Sequence, residues 1–61
     1  MIKSKNGDYL TEYSVVIDPY GRLYCVDSFE ESGKVKCRNG CVFIYWNPED
    51  LTTVDYREDI E

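Results

Sequence analysis

The segment KVKCRNGCVFIYW, Lys34 to Trp46, constrains this chain more than any other part of it. Asn-Gly between two runs of alternating β-formers is the strongest short-range hairpin signal, because both residues tolerate the positive φ of a type I′ turn. With Asn39 and Gly40 as the turn, Arg38 pairs with Cys41, Cys37 with Val42, Lys36 with Phe43, Val35 with Ile44 and Lys34 with Tyr45. Side chains alternate along each strand, so Cys37 and Cys41 point to opposite faces. The Cys-x-x-x-Cys spacing is then the rim of a turn rather than half of a metal site or a redox pair. One face of the ribbon holds Val35, Cys37, Val42, Ile44 and Trp46. The other holds Lys34, Lys36, Arg38, Cys41, Phe43 and Tyr45.

A second hairpin is signalled upstream by DPYG, Asp18 to Gly21, which places Pro and Gly where a type I turn closed by a left-handed Gly needs them. The three-residue loop of that turn sets Asp18 opposite Arg22, Ile17 opposite Leu23, Val16 opposite Tyr24 and Val15 opposite Cys25. Val15, Ile17, Leu23 and Cys25 read as the core side. Val16, Tyr24 and Val26 then lie on an uncovered face through which a homodimer is an expected alternative. SFEESG, Ser28 to Gly33, reads as a polar turn. In NPEDL, Asn47 to Leu51, Asn can cap, Pro suits the first helical position and two acids favour the amino-terminal dipole, which predicts one 3₁₀ turn near 48–51. Thr52 to Val54 reads as a last short strand.

This order of elements, and the ending VFIYWNPEDLTTVD in particular, resembles small SH3-like barrels over Tyr13 to Asp55. The fold expected is mainly β: one SH3-like five-stranded barrel or bent antiparallel sheet with a single 3₁₀ turn. One domain spans 1–61, with a flexible start over 1–7 and an acidic tail over 56–61. The acidic-aromatic groove pattern of signalling SH3 domains is not matched, since no ALYDY-like stretch occurs and Trp46 has no partner tryptophan beside it. Recognition of Pro-rich peptides is therefore not carried over.

Size and composition narrow the chemistry. A chain of 61 residues buries only ~60% of its unfolded surface, which leaves no room for a deep catalytic cavity. Twelve acids against seven basic residues, a net charge of -5, oppose general affinity for nucleic-acid backbone or anionic membrane. No signal-peptide pattern and no membrane-length apolar run is present, and three cysteines do not suit a secreted disulfide framework, so a cytoplasmic protein is expected. The chain has no His, which excludes Cys-His and Ser-His nucleophiles, and its glycines form no phosphate loop. Three cysteines cannot complete a four-ligand zinc site alone. No enzyme activity, metal or cofactor is expected. Cys25 and Cys37 read as buried thiols, and Cys41 as an exposed thiol whose thiolate Arg38 would favour.

The remaining candidate for function is the polar face of the second hairpin, where Lys36 and Arg38 alternate beside Phe43 and Tyr45. Lysine stems covering aromatic rings are ordinary in soluble sheets. The same arrangement can also dock a macromolecule, and Glu30 and Glu31 form a second candidate patch. The function expected is that of a non-enzymatic binding protein with a protein partner. In style it is similar to small phage or prophage accessory proteins that modulate or inhibit a host protein, including by acidic mimicry of nucleic acid. The alternative is a single-stranded nucleic-acid module using the basic and aromatic residues of the 34–45 hairpin.

Overall fold

The computed structural model describes residues 2–54, so the acidic tail expected over 56–61 lies outside them. Five strands, β1 (Val15–Ile17), β2 (Leu23–Phe29), β3 (Val35–Asn39), β4 (Val42–Trp46) and β5 (Thr52–Thr53), form one antiparallel sheet. Its order is β4-β3-β2-β1-β5, with β4 and β5 as its two edges. The protein is therefore mainly β, and of the two forms expected it takes the open, bent sheet. A single 3₁₀ turn, Pro48–Asp50, joins β4 to β5 with Pro at its start, although the Asn47 side chain makes no capping bond.

The β1–β2 hairpin has the expected register: Val15 faces Cys25, Val16 faces Tyr24 and Ile17 faces Leu23. Gly21 takes the left-handed conformation at φ 83°. The Gly21 N–H donates to Asp18 O, and the Asp18 N–H to Arg22 O. Its faces are the reverse of those expected. Val16, Tyr24 and Val26 are buried in the core, whereas Leu23 is 40% exposed and Val15, Ile17 and Cys25 are only partly covered. The face expected to be free for a homodimer is thus the interior. The reason is that both faces of this hairpin are apolar, so local alternation does not choose between them. The choice falls to what packs above, namely Leu10 and Leu51 from the segments flanking the strands.

In the β3–β4 hairpin the faces are as expected and the register is not. Asn39 pairs with Val42, Arg38 with Phe43, Cys37 with Ile44, Lys36 with Tyr45 and Val35 with Trp46. Gly40 and Cys41 are the loop residues, and Gly40 has φ 61° while Cys41 does not have a positive φ. That is the pattern of a type II′ turn, which needs glycine only at its first central position. Asn39 stays in the strand, where its Nδ2 donates to Leu23 O at 2.9 Å. Moving the turn by one residue moves the pairing by two, so each residue keeps its face.

β2 carries the bend. Its register against β3 slips between Val26 and Ser28, so Asp27 is an extra residue at a β-bulge, and a bulge sharpens twist and bends the strand. β2 also runs to Phe29, two residues into the expected turn. Bending folds the tip of the first hairpin back over the core. The Tyr20 ring at that tip reaches the Trp46 ring at the opposite end of the sheet, with centroids 5.8 Å apart. The buried core is Leu10, Val16, Tyr24, Val26, Val35, Cys37 and Leu51, with Ile2, Phe29, Ile44 and Trp46 packed on it.

Residues 2–7, which fall in the start expected to be flexible, bond to the rest of the chain. Lys3 bridges Tyr9, Ser4 is buried and the Lys5 N–H donates to Leu51 O at 2.7 Å. Asn6 and Asp8 reach Thr53: the Thr53 N–H donates to Asn6 Oδ1 at 3.2 Å and its hydroxyl to Asp8 Oδ2 at 2.6 Å. These contacts join residues about 45 positions apart, which no local pattern announces.

Candidate functional site

The outer face of the sheet, opposite the core, collects the side chains that the strand alternation sends away from Val35 and Cys37. Lys36, Arg38, Phe43 and Tyr45 are together there, in the cross-strand pairs Arg38/Phe43 and Lys36/Tyr45. Phe43 and Tyr45 are each 48% exposed. Lys36 Nζ lies 4.5 Å from the Phe43 ring centroid, a diagonal contact in cation–π range. Part of the Phe43 ring is thereby covered by the lysine, and about half of each ring is left to solvent.

Arg38 is differently engaged. Its Nε lies 3.6 Å from Asp27 Oδ1, the one ion pair among the described residues. The bulge places Asp27 there, and because a bulge leaves no sequence signature in this strand, the pair was not legible beforehand. Lys36 has no carboxylate within ion-pair distance among the described residues, so it is the less neutralised of the two charges. Beside Arg38, Val15, Leu23, Cys25 and Asn39 line a shallow depression of about 210 Å³. The outer face is thus a continuous surface from β4 to β1, aromatic at one end and aliphatic at the other.

Glu30 and Glu31 lie elsewhere. They occupy the β2–β3 turn, where the Glu30 N–H donates to Lys34 O and the Gly33 N–H to Glu30 O. Both are exposed. They lie in the turn that precedes β3, whereas Phe43 lies on β4.

The cysteines separate into three environments. Cys37 is fully buried, as expected, and its thiol is pushed up from the ordinary 9.0 to about 11, first by burial and then by the nearby charge of Asp18. Cys25 is on the outer face opposite Arg38, not in the core, and is half-buried. Cys41 is exposed in the turn, but Arg38 faces Phe43 and pairs with Asp27, so the expected Arg38–Cys41 pairing is absent. Among the described residues no group of three or more His, Cys, Asp or Glu could hold a metal ion. No helix of the described residues is long and apolar enough to cross a membrane.

Asp18 is a structural residue that the turn signal did reach. It is only 4% exposed, and its Oδ1 accepts from the Tyr20 N–H at 3.0 Å and the Arg22 N–H at 2.8 Å. Asp at the first position of a type I turn does this routinely, bonding its own backbone two residues on. It fixes the loop that delivers Tyr20 to Trp46. No protein-family model matches the chain, and no curated protein or solved structure matches it either.

Proposed function

We propose that the protein is a non-enzymatic binding module whose outer sheet face, centred on Lys36, Arg38, Phe43 and Tyr45, contacts a protein partner. The observation that carries this is the pair of half-exposed aromatic rings on alternate positions of an edge strand, with the Lys36 ammonium against one of them. Aromatic residues and arginine are the side chains that dominate protein interfaces, because they bury large area at small entropic cost. Two such rings on β4 and a cation on its paired neighbour β3 are held together for that use by the ladder between the strands. The strand order, with its 3₁₀ turn before the last strand, supports the proposed likeness to small SH3-like barrels. The modulator or inhibitor role in the manner of phage accessory proteins is proposed with it, in the cytoplasm of the cell that supplies the partner. A nucleic-acid partner is disfavoured because the Asp27 carboxylate already engages Arg38, which leaves few free cations on this face to track a phosphate backbone.

The test is capture of a partner from host lysate by immobilised protein, compared with the double variant Phe43→Ala/Tyr45→Ala. The wild type should retain a specific partner and the double variant should lose it at least tenfold with its thermal transition preserved. Undiminished capture by the variant overturns the assignment of this surface. Binding of a single-stranded oligonucleotide that weakens steeply with salt would replace the protein reading with the nucleic-acid one.

A further inference from the structure

The two edges of the sheet are treated differently. At β5 the edge is two residues long, and the Asn6 and Asp8 side chains bond to Thr53. At β4 the edge is five residues long, Val42–Trp46, and no described strand pairs with its outer side. Natural sheets protect such edges with lysine, proline, bulges or inward-pointing charge. The sequence of β4, VFIYW, contains no charge and no proline, and its ladder to β3 is unbroken.

The register shows which backbone groups are free. The Val26 N–H donates to Ser14 O, and the Tyr13 N–H to Val26 O, so Val26 directs its backbone toward β1. In an antiparallel ladder the bonded direction alternates residue by residue. Cys25 therefore bonds across to Arg38, Cys37 to Ile44, and the Phe43 and Tyr45 amides and carbonyls point away from β3. The two-residue loop requires the same, since Asn39 and Val42 close it as a bonded pair. The residues with free backbone are thus the residues with exposed rings.

We infer that β4 is a docking edge for an extended, acidic strand of the partner, added antiparallel to Val42–Trp46. This inference rests on the reading of the outer face as a protein-contact surface and names its mode. Strand addition takes its affinity from main-chain bonds and its selectivity from alternate side chains. Residues of the added strand opposite Phe43 and Tyr45 lie on the outer face, within reach of the Lys36 ammonium that sits over Phe43. Carboxylates fit there. Its intervening residue faces the side of Ile44, Trp46 and Val42, where Val42 is 58% exposed and the other two are partly so. An apolar side chain fits there and extends the core. Local charge decides over the net charge because exposed charges beyond about 8 Å are largely screened at physiological salt.

The probe is an acetylated octapeptide of alternating valine and glutamate, titrated to millimolar concentration against the full chain, with a valine–lysine octapeptide as control. Amide exchange of Phe43 and Tyr45 should slow at least tenfold with the acidic peptide and not with the basic one. Equal exchange with and without the acidic peptide overturns the inference, as does equal protection by both peptides. Slowing that rises with protein concentration alone assigns the edge to a second copy and overturns it too. Synthetic chain bearing N-methyl-Phe43 keeps the ring and deletes the outward N–H, so it should lose peptide protection at Tyr45. If this chain still captures the lysate partner while Phe43→Ala/Tyr45→Ala does not, the face binds protein but the strand-addition mode is wrong.

Discussion

The two edges of the sheet contrast in how they are finished. The β5 edge is closed by distant parts of its own chain: the Lys5 N–H donates to Leu51 O and Asn6 and Asp8 bond to Thr53. Leu51, beside it, is fully buried. The β4 edge is longer, uncharged and flanked by exposed aromatic rings. One edge is bonded within the chain, and the other, unpaired among the described residues, carries the rings of the proposed contact surface. Since an unprotected apolar edge is a liability for aggregation, its presence on so small a domain supports the proposed use.

The contrast is easiest to break at Leu51. Leu51→Ala should cost about 3 kcal/mol, the usual scale for emptying a fully buried leucine position, whereas Phe43→Ala at the other edge should cost about 1 kcal/mol or less because half of that ring is already in water. Chemical denaturation of the two variants measures both. Equal losses would mean that β4 is as structural as β5, and would remove the division of labour.

A second measurement monitors the interior between the edges. Cys37 ionises at about 11 in the folded chain against an ordinary 9.0, so the unfolded chain releases this proton first. Stability is then fully present below pH 9 and declines as pH rises from 9 toward 11. Cys37→Ser or Cys37→Ala should flatten that part of the pH profile. In the folded protein below pH 9, alkylation should modify Cys41 first and Cys37 last. Early modification of Cys37 would show that the core around it opens in the folded chain.

The smallest effect is expected at Thr53. Thr53→Val preserves shape but removes the hydroxyl that bonds Asp8 and Asn6, a loss of about 1 kcal/mol. Because a domain of this size shifts by roughly 4–8 °C per kcal/mol, thermal unfolding resolves it. A transition unchanged by this substitution would mean that the β5 edge is held by its backbone bonds alone.

Much of the architecture was legible because it is local. DPYG fixed the first turn and its register through the positive φ of Gly21 and the Asp18 side chain, and Pro48 positioned the 3₁₀ turn. The candidate site was legible for a related reason: alternation alone places Lys36, Arg38, Phe43 and Tyr45 on one face whichever of the two hairpin turns is used. Their partners within that face were not. Local preference points to an Asn39-Gly40 turn, whereas the Gly40-Cys41 turn that forms leaves Asn39 in the strand, bonded to Leu23 O sixteen residues away.

By itself, then, the sequence determined five strands, their antiparallel succession and the side of β3 and β4 that carries charge. These follow from turn chemistry and from a period of two, which act over a few residues. Only the tertiary structure decided that Val16, Tyr24 and Val26 are interior, that the amino-terminal segment closes the β5 edge and that the outer side of β4 pairs with no strand among the described residues. Those outcomes depend on which distant residues cover which surface. Where both faces of a hairpin are apolar, burial is settled by the neighbours that arrive and not by the pattern of the strands.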